Sequence, residues 1–398
     1  MKRVNTISIV TALAVILLSM FLYLPYSKND RSDRTIKVGF VYDGDESAPY
    51  TYNFIRAQYA VEAEYGDRVE IAVRNNTPNS AGEAALRELV EEGCDLIFTT
   101  SFGYGETAKQ MAGEYPDVQF CQATCYNSNE APIYDNYHTF MGHIYEGRYL
   151  AGVAAGMKLN QMIEEGVITE EEARIGYVAA YPYAEVISGY TAFLLGVRSV
   201  VPYAVMTVKY TNTWTSYTLE KECAEELIAE GCVVISQHSD TTGPAVACEN
   251  ADLPYPVYHV GYNQSMQDVA PTTSLLSTRI NWTPYILSAV EAVLQEEEIE
   301  KHVDATIHGR DAGAGFEKDW VQVVDVNDLI AVEGTDVVIT NAIRDFEHGK
   351  IQVFKGNYVG VDPFDETDTY DLSNGYMENE TTSAPMFHYV LKDVITVE

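Results

Sequence analysis

A carboxylate at the end of a buried strand, followed by rings and hydroxyls, can hold a flat ligand that carries hydrogen-bond donors. Asp43, Asp45, Tyr50, Thr51 and Tyr52 stand in that relation, in the segment DGDESAPYTYNFIRAQ directly after the apolar run IKVGFVY (36–42). In open α/β sheets, ligands bind outside the carboxyl ends of the strands. The same position after later apolar runs picks out Ser101 and Phe102, then Gln122 and Thr124, then Tyr181, Tyr183 and Glu185. Trp214, the pair His238 and Asp240, and finally Asn263 complete the set. Aromatic faces stack on planar rings. Carboxylates accept hydrogen bonds, and amides both donate and accept, which suits the polar edge of a nucleobase. Each residue also has a plainer reading. With 29 tyrosines in the chain, many must serve packing alone, and His238 reads equally well as an ordinary loop histidine.

Chemistry on a reacting group finds no such support. There is no GxGxxG after the first strand, no GxxxxGK[ST], no HExxH and no GxSxG elbow. The acids are scattered without a spacing that would fix two on one face. The sequence thus reads as a binding protein, not an enzyme, and calls for no cofactor. The lack of any CxxC speaks against a zinc or redox site.

The elements that must position these groups alternate. Strand patterns cover 36–42, 69–73, 95–100, 119–123, 174–180, 204–211, 233–237, 257–262 and 274–279, with amphipathic helical patterns such as 79–93 and 217–231 between them. Strands alternating with helices of this length mean βαβ units and parallel sheets. LRELVEEGCDLIFTTSFG (86–103) and AEELIAEGCVVISQHSD (224–240) repeat one order: helix, Glu-Gly-Cys, strand, polar loop. Gly93 and Gly231 are placed to end their helices in the left-handed conformation. The echo predicts two similar lobes, each with its own sheet. Further on, WVQVVDV and IQVFKG read as strands around the helical DVVITNAIRDFEHGK, and the acidic stretch FDETDTYDLSNGYMENETTSAP reads as a surface extension.

Charge narrows the partners. With 25 basic and 59 acidic residues, the net charge of −34 opposes nucleic acid. Lys2 and Arg3 precede an apolar run, IVTALAVILLSMFLYLPY, long enough to cross a bilayer with the N-terminus inside. A retained anchor and a cleaved secretory signal both fit, and either puts the rest of the chain outside the cytoplasm. The first cysteine is Cys94, so no N-terminal cysteine is available for lipid modification. Cys94 and Cys232 open buried-strand patterns, which favours core thiols over disulfides.

Several of these segments together resemble the basic membrane protein family of bacterial substrate-binding proteins, which includes purine nucleoside receptors of ABC importers. The resemblance runs from about residue 35 to 360. It rests on TTSFGY (99–104), YEGRYLAG (145–152), IGYVAAYP (175–182), LGVRSVVP (195–202) and QHSD (237–240). It implies an α/β type I periplasmic-binding fold, with two Rossmann-like lobes of parallel sheet joined by a hinge after an N-terminal membrane helix. The expected division is 1–34 signal-anchor and linker, 35–142 first lobe, 143–262 second lobe, 263–319 return to the first lobe, 320–360 hinge strands and completion of the second lobe, and 361–398 C-terminal extension.

The family's early acid matches Asp43, its stacking aromatic Tyr50 and its next polar position Thr51. Where related chains read Gly-Trp-Thr-Tyr-x-His, this one has Pro49-Tyr-Thr-Tyr-Asn-Phe54, which keeps a ring and loses a polar group. Asn263 stands where the family has an acid, and the acid after the fourth strand falls near Thr124. Trp214 and Trp282 are candidate wall residues. The expected ligand is a purine-like nucleobase or nucleoside, with an ABC permease and ATPase as partners. The alternative is a membrane-anchored sensor that signals to a membrane partner without transport.

Overall fold

The computed structural model describes residues 34–398; the expected N-terminal membrane helix lies outside them. Among the described residues, no helix is long and apolar enough to cross a membrane. The first strands are β1 (Ile36–Val41), β2 (Val69–Arg74), β3 (Leu96–Thr99), β4 (Gln119–Ala123) and β5 (Tyr137–Gly142). The next are β6 (Arg174–Ala179), β7 (Val205–Tyr210), β8 (Val234–His238), β9 (Tyr258–Tyr262) and β10 (Ser274–Ile280). Then follow β11 (Thr306–His308), β12 (Asp311–Ala314), β13 (Val321–Val324), β14 (Val359–Asp362), β15 (Asp365–Asp371), β16 (Val390–Leu391) and β17 (Ile395–Val397).

One sheet has the order β11-β12-β5-β4-β3-β1-β2, the other β13-β10-β9-β8-β6-β7-β17. Strands β1 to β5 in one sheet therefore occupy the places of β6 to β10 in the other. All pairs among these ten are parallel. Most of these strands read as apolar runs, as expected where helices cover both faces of a parallel sheet.

The helices are α1 (Pro49–Tyr65), α2 (Gly82–Glu91), α3 (Gly105–Glu114), α4 (Ile144–Glu164), α5 (Ala184–Val200), α6 (Tyr217–Ala229), α7 (Gly243–Glu249), α8 (Thr283–Gln295), α9 (Ile299–His302) and α10 (Thr335–Glu347). Helices α2 and α6 end as the echo requires, with Gly93 at φ 85° and Gly231 at φ 91°. Cys94 and Cys232 follow as buried free thiols. The chain passes between the sheets at residue 143, at 281–282 and at 315–320. At the third crossing, the buried Glu146 carboxylate accepts the Phe316 N–H at 2.9 Å.

Three expectations are corrected. The return to the first lobe does not begin at 263: β10 pairs with β9, so the second sheet continues to Ile280. IQVFKG forms no strand. Val353 and Phe354 instead bury their side chains from a loop, with Phe354 stacked on Phe387 at 4.3 Å. Nor is 361–398 a mere surface extension. It builds the sheet β15-β14-β16 and adds β17 beside β7. The acidic β15 is exposed, as its composition demands, but the short apolar pieces around Val390 and Ile395 are long enough to find edges.

The C-terminal segment also ties the two sheets together. Buried Asp311 of β12 accepts from Ser383 N and Oγ, each at 2.6 Å, and from Thr382 Oγ1 at 3.0 Å. Glu378, buried against α5, accepts from Phe387 N at 3.2 Å and from Met386 N. Burial pushes the Glu378 carboxyl up to about 7, against the pull of those two N–H groups.

Candidate functional site

The carboxyl ends of β1, β3 and β4 face those of β6, β7, β8 and β9 across a narrow cavity. From the first sheet come Asp43, Tyr50, Ser101, Phe102 and Thr124; from the second, Glu185, Trp214, His238, Asp240 and Tyr262. Both groups cluster at the switch points of their sheets, where adjacent loops diverge and leave room for a ligand. The cleft is shut at its edges. Asn53 Nδ2 of α1 donates to the Asn263 carbonyl at 3.0 Å, and the Phe102 and Tyr183 rings lie 6.2 Å apart.

Local folding explains each placement. Tyr50 enters α1 one residue after Pro49, and its hydroxyl donates to Thr100 O at 2.5 Å, which fixes the ring against the end of β3. Behind it, Phe54 stacks on buried Trp282 at 4.4 Å, so the position where related chains carry His is here part of an apolar wall. Thr51 Oγ1 donates to Asp43 Oδ1 at 3.1 Å. Gln122 Nε2 holds the Ser101 and Ala123 carbonyls at 2.9 and 2.6 Å. In the second lobe, buried Glu220 accepts from Ser239 Oγ and from Thr241 N and Oγ1 at 2.7 to 3.0 Å, which shapes the loop that presents Asp240. Asp240 N donates to the Trp214 carbonyl at 3.0 Å, and Asn263 Nδ2 donates to Asp240 Oδ1 at 2.9 Å. Asn263 sits at φ 67°, a left-handed conformation that asparagine tolerates better than most residues.

Of the residues selected from sequence, Asp43, Tyr50, Ser101, Phe102, Thr124, Trp214, His238 and Asp240 line the cavity. Thr51, Gln122 and Asn263 stand one layer back and orient those that do. Trp282 backs the aromatic wall. Tyr181 stacks on Tyr183 at 5.2 Å and meets Trp214 edge-on, so it supports the tryptophan rather than facing the cavity. Tyr52 points away, exposed on α1.

The cavity is also lined by Glu185, which the sequence placed in the loop after β6, and by Tyr262, which lies outside that selection. Glu185 opens α5, where an acid reads as a favourable charge at a helix N-terminus. Tyr262 ends β9, where a strand tyrosine reads as core. Position at a strand end, applied without regard to residue type, finds both.

The electrostatics are one-sided. Three carboxylates, Asp43, Glu185 and Asp240, meet at the cavity, and no lysine or arginine is among its lining residues. Burial raises the Asp43 carboxyl above its ordinary range, opposed by the Thr51 hydroxyl. Burial raises Asp240 well above its range, and the charges of Asp43, Glu220 and Glu185 add to this. The nearest compensation lies beneath the lining. Arg148 of α4 is fully buried, with its guanidinium 3.6 Å from the centre of the Tyr262 ring and Nη1 donating to Gln237 O at 2.9 Å.

His238 is 1% exposed, and neither ring nitrogen has a hydrogen-bond partner; Glu185 Oε1 is 3.4 Å from Nε2. Burial first, and then the Arg148 charge, lower this imidazole to about 4. It is a neutral polar group that a ligand can satisfy. The arrangement can accept several N–H or O–H donors around a planar body held between rings, and it opposes any anion.

The family of ABC transporter substrate-binding proteins described as PnrA-like, Bmp, matches residues 35–344. The chain belongs to this family. A purine-binding protein of Brucella abortus (strain 2308) is 31% identical over 265 residues, which are 66% of this chain and 70% of that protein. TsgA13 of Haloferax volcanii, named for ABC transporter glucose binding, is 34% identical over 265 residues, covering 67% of this chain and 62% of its own. A solved ABC transporter solute-binding protein from Aeropyrum pernix K1 superposes with a TM-score of 0.64 at 16% identity, over 79% of this chain and 92% of that one. That likeness supports the type I periplasmic-binding architecture of the two Bmp-family sheets. The family match ends at 344, before the C-terminal sheet begins.

Proposed function

We propose that the protein captures a purine-like nucleobase or nucleoside between its two lobes, outside the cytoplasm, and presents it to an ABC permease and its ATPase. The observation that carries this reading is the convergence of aromatic faces with three acceptor carboxylates in a cavity that, among the described residues, no lysine or arginine lines. A base stacked on Tyr50, with Trp214 on the opposite wall, would offer ring and exocyclic N–H donors to Asp43 and Asp240. Nucleotides are disfavoured, because a phosphate would meet these carboxylates without a counter-charge. The named ligand of the Brucella relative supports the purine class, and family membership favours transport over sensing. Calorimetric titration with purine bases, nucleosides and glucose tests the proposal. Saturable binding of a purine with weak or no glucose binding is expected, and a protein that binds glucose but no purine sinks it.

The pH dependence follows from the two raised carboxyls. Donors on the ligand need Asp43 and Asp240 charged, so affinity is full above their raised values and is lost as pH falls through them. His238, at about 4, stays neutral between pH 5 and 8 and adds nothing there. Titrations at successively lower pH should weaken as these carboxyls take up protons, and Asp240→Asn should flatten the decline.

Closure makes a separate prediction. Asn53 and Asn263 meet only when the lobes are shut, and a neutral hydrogen bond contributes about 1 kcal/mol. Asn53→Ala should lower affinity roughly fivefold. Small-angle scattering of the ligand-free variant should give a larger radius of gyration than the parent.

A further inference from the structure

The sheet β15-β14-β16 lies beyond the family match, and its residues share a second, outer groove with the mouth of the cleft. That groove is lined by residues that include Phe102, Tyr183, Trp214, Asp362, Phe364 and His388. Asp362 at the end of β14, Asp368 in β15 and His388 just before β16 converge beside it. One side-chain ligand atom from each lies within 4.8 Å of the others. The sequence separates these residues without any motif; the sheet brings them together.

Each of the three has its other polar atom already held. Phe364 N–H donates to Asp362 Oδ1 at 2.8 Å, and the Tyr389 hydroxyl donates to Asp368 Oδ1 at 3.2 Å. His388 Nδ1 is 2.9 Å from the Met386 carbonyl, which makes it the protonated nitrogen, and the imidazole lies flat on the Tyr389 ring at 4.3 Å. This leaves Asp362 Oδ2, Asp368 Oδ2 and His388 Nε2 facing one another. The separations from Nε2 are 3.8 and 3.9 Å, too long for hydrogen bonds. Two ligands of one ion, each at about 2.0–2.2 Å, stand roughly 3 to 4.2 Å apart depending on the angle between them. The two separations from Nε2 fit ligands of a shared ion, and in its absence they are no more than long ion pairs with a protonated imidazole. A carbonyl or hydroxyl behind each ligating group is the arrangement that orients metal ligands. Among the described residues, neither aspartate pairs with a lysine or arginine, so the two carboxylates otherwise repel.

We infer that Asp362, Asp368 and His388 bind a divalent transition-metal ion, with zinc the best match to one imidazole and two carboxylates. The ion pins three strands of the C-terminal sheet and so fixes one wall of the groove at the cleft mouth. Calcium and magnesium, which seek six or more oxygens, suit the site poorly.

The test uses the purified protein, free of any histidine tag and stripped with chelator, titrated with Zn²⁺ by calorimetry and with Co²⁺ by visible absorption. About one equivalent of Zn²⁺ should bind, and Co²⁺ should develop visible bands. His388→Ala and Asp368→Asn should each weaken binding at least tenfold, while His302→Ala, at a half-buried histidine elsewhere, should leave it unchanged. All three side chains reach solvent, so equal melting temperatures in chelator will confirm that the variants fold. Absence of saturable Zn²⁺ binding, or binding undiminished in both variants, overturns the inference.

Discussion

Asp43→Asn should reduce affinity for the purine ligand by roughly 30- to 150-fold, about 2–3 kcal/mol, while leaving the ligand-free protein as stable as the parent or more so. The two halves of this expectation have one cause. Among the described residues, the side-chain hydrogen-bond partner of Asp43 is Thr51, and its carboxylate faces the charge of Asp240 across the cavity, into which it still opens to solvent. In the ligand-free fold its charge is a liability, which is why burial raises its carboxyl. The folded chain then binds the proton more tightly than the unfolded chain. Stability therefore falls as pH rises from the ordinary carboxylate range to the raised value, and asparagine removes that fall. The ligand's donors are what make the charge favourable, and the amide of asparagine presents its own N–H groups to them. Thr51 can still donate to the amide oxygen, so geometry should persist. Calorimetry and thermal melting on the same samples check both halves. Equal affinity in the variant, or lost binding together with a large loss of stability, would show Asp43 to be a structural acid.

The ends of strands were the legible part of the site. Asp43, Ser101, Thr124, Trp214, His238 and Asp240 are all found by asking which residue follows an apolar run, because a parallel sheet aims every such loop at one edge. Which side of the loop faces the ligand was not legible. Tyr181 and Trp214 are both aromatic and both follow strands, yet only a tertiary contact decides that one lines the cavity and the other backs it. Tyr52 illustrates the same limit within α1, where its neighbours Tyr50 and Thr51 point to the site and it points to solvent. Tyr262 was hidden by an adequate local explanation, as a strand aromatic. At the level of fold, β5 (Tyr137–Gly142) escaped notice, since YHTFMG mixes polar and apolar residues and is buried along its whole length. The C-terminal strands escaped because each is only a few residues long and depends on a sheet edge supplied from far away in sequence.

Of the motifs that carried the family resemblance, TTSFGY and QHSD line the cavity, whereas YEGRYLAG and LGVRSVVP serve the frame. In YEGRYLAG, Glu146 pins the third crossing, Gly147 lets Val321 and Thr278 approach α4, and Arg148 lies under Tyr262. Gly152 has the most demanding role. A Cβ there would sit 2.0 Å from the Phe193 carbonyl oxygen of α5, and a Cβ on Gly196 of α5 would sit 2.0 Å from the Tyr149 carbonyl oxygen of α4. The two helices thus cross backbone to backbone through a reciprocal pair of glycines, and they form the apolar centre of the second lobe.

Gly152→Ala should therefore destabilise the protein by about 3 kcal/mol or more, a large part of the 5–15 kcal/mol typical of a folded domain. The melting temperature should drop by roughly 6–12 °C. The sign is the informative part. In a helix interior, alanine is normally better than glycine by about 0.5–1 kcal/mol, so propensity alone forecasts a more stable protein. Here the neighbour is backbone, which cannot rotate aside as a side chain could, and the helices must separate or shift to admit one methyl group. The position touches no residue of the cavity, so whatever fraction remains folded should bind one ligand with nearly parental affinity. A variant that melts at or above the parental temperature would mean that α4 and α5 do not pack this closely, and would remove the physical account of why this glycine stands in the motif.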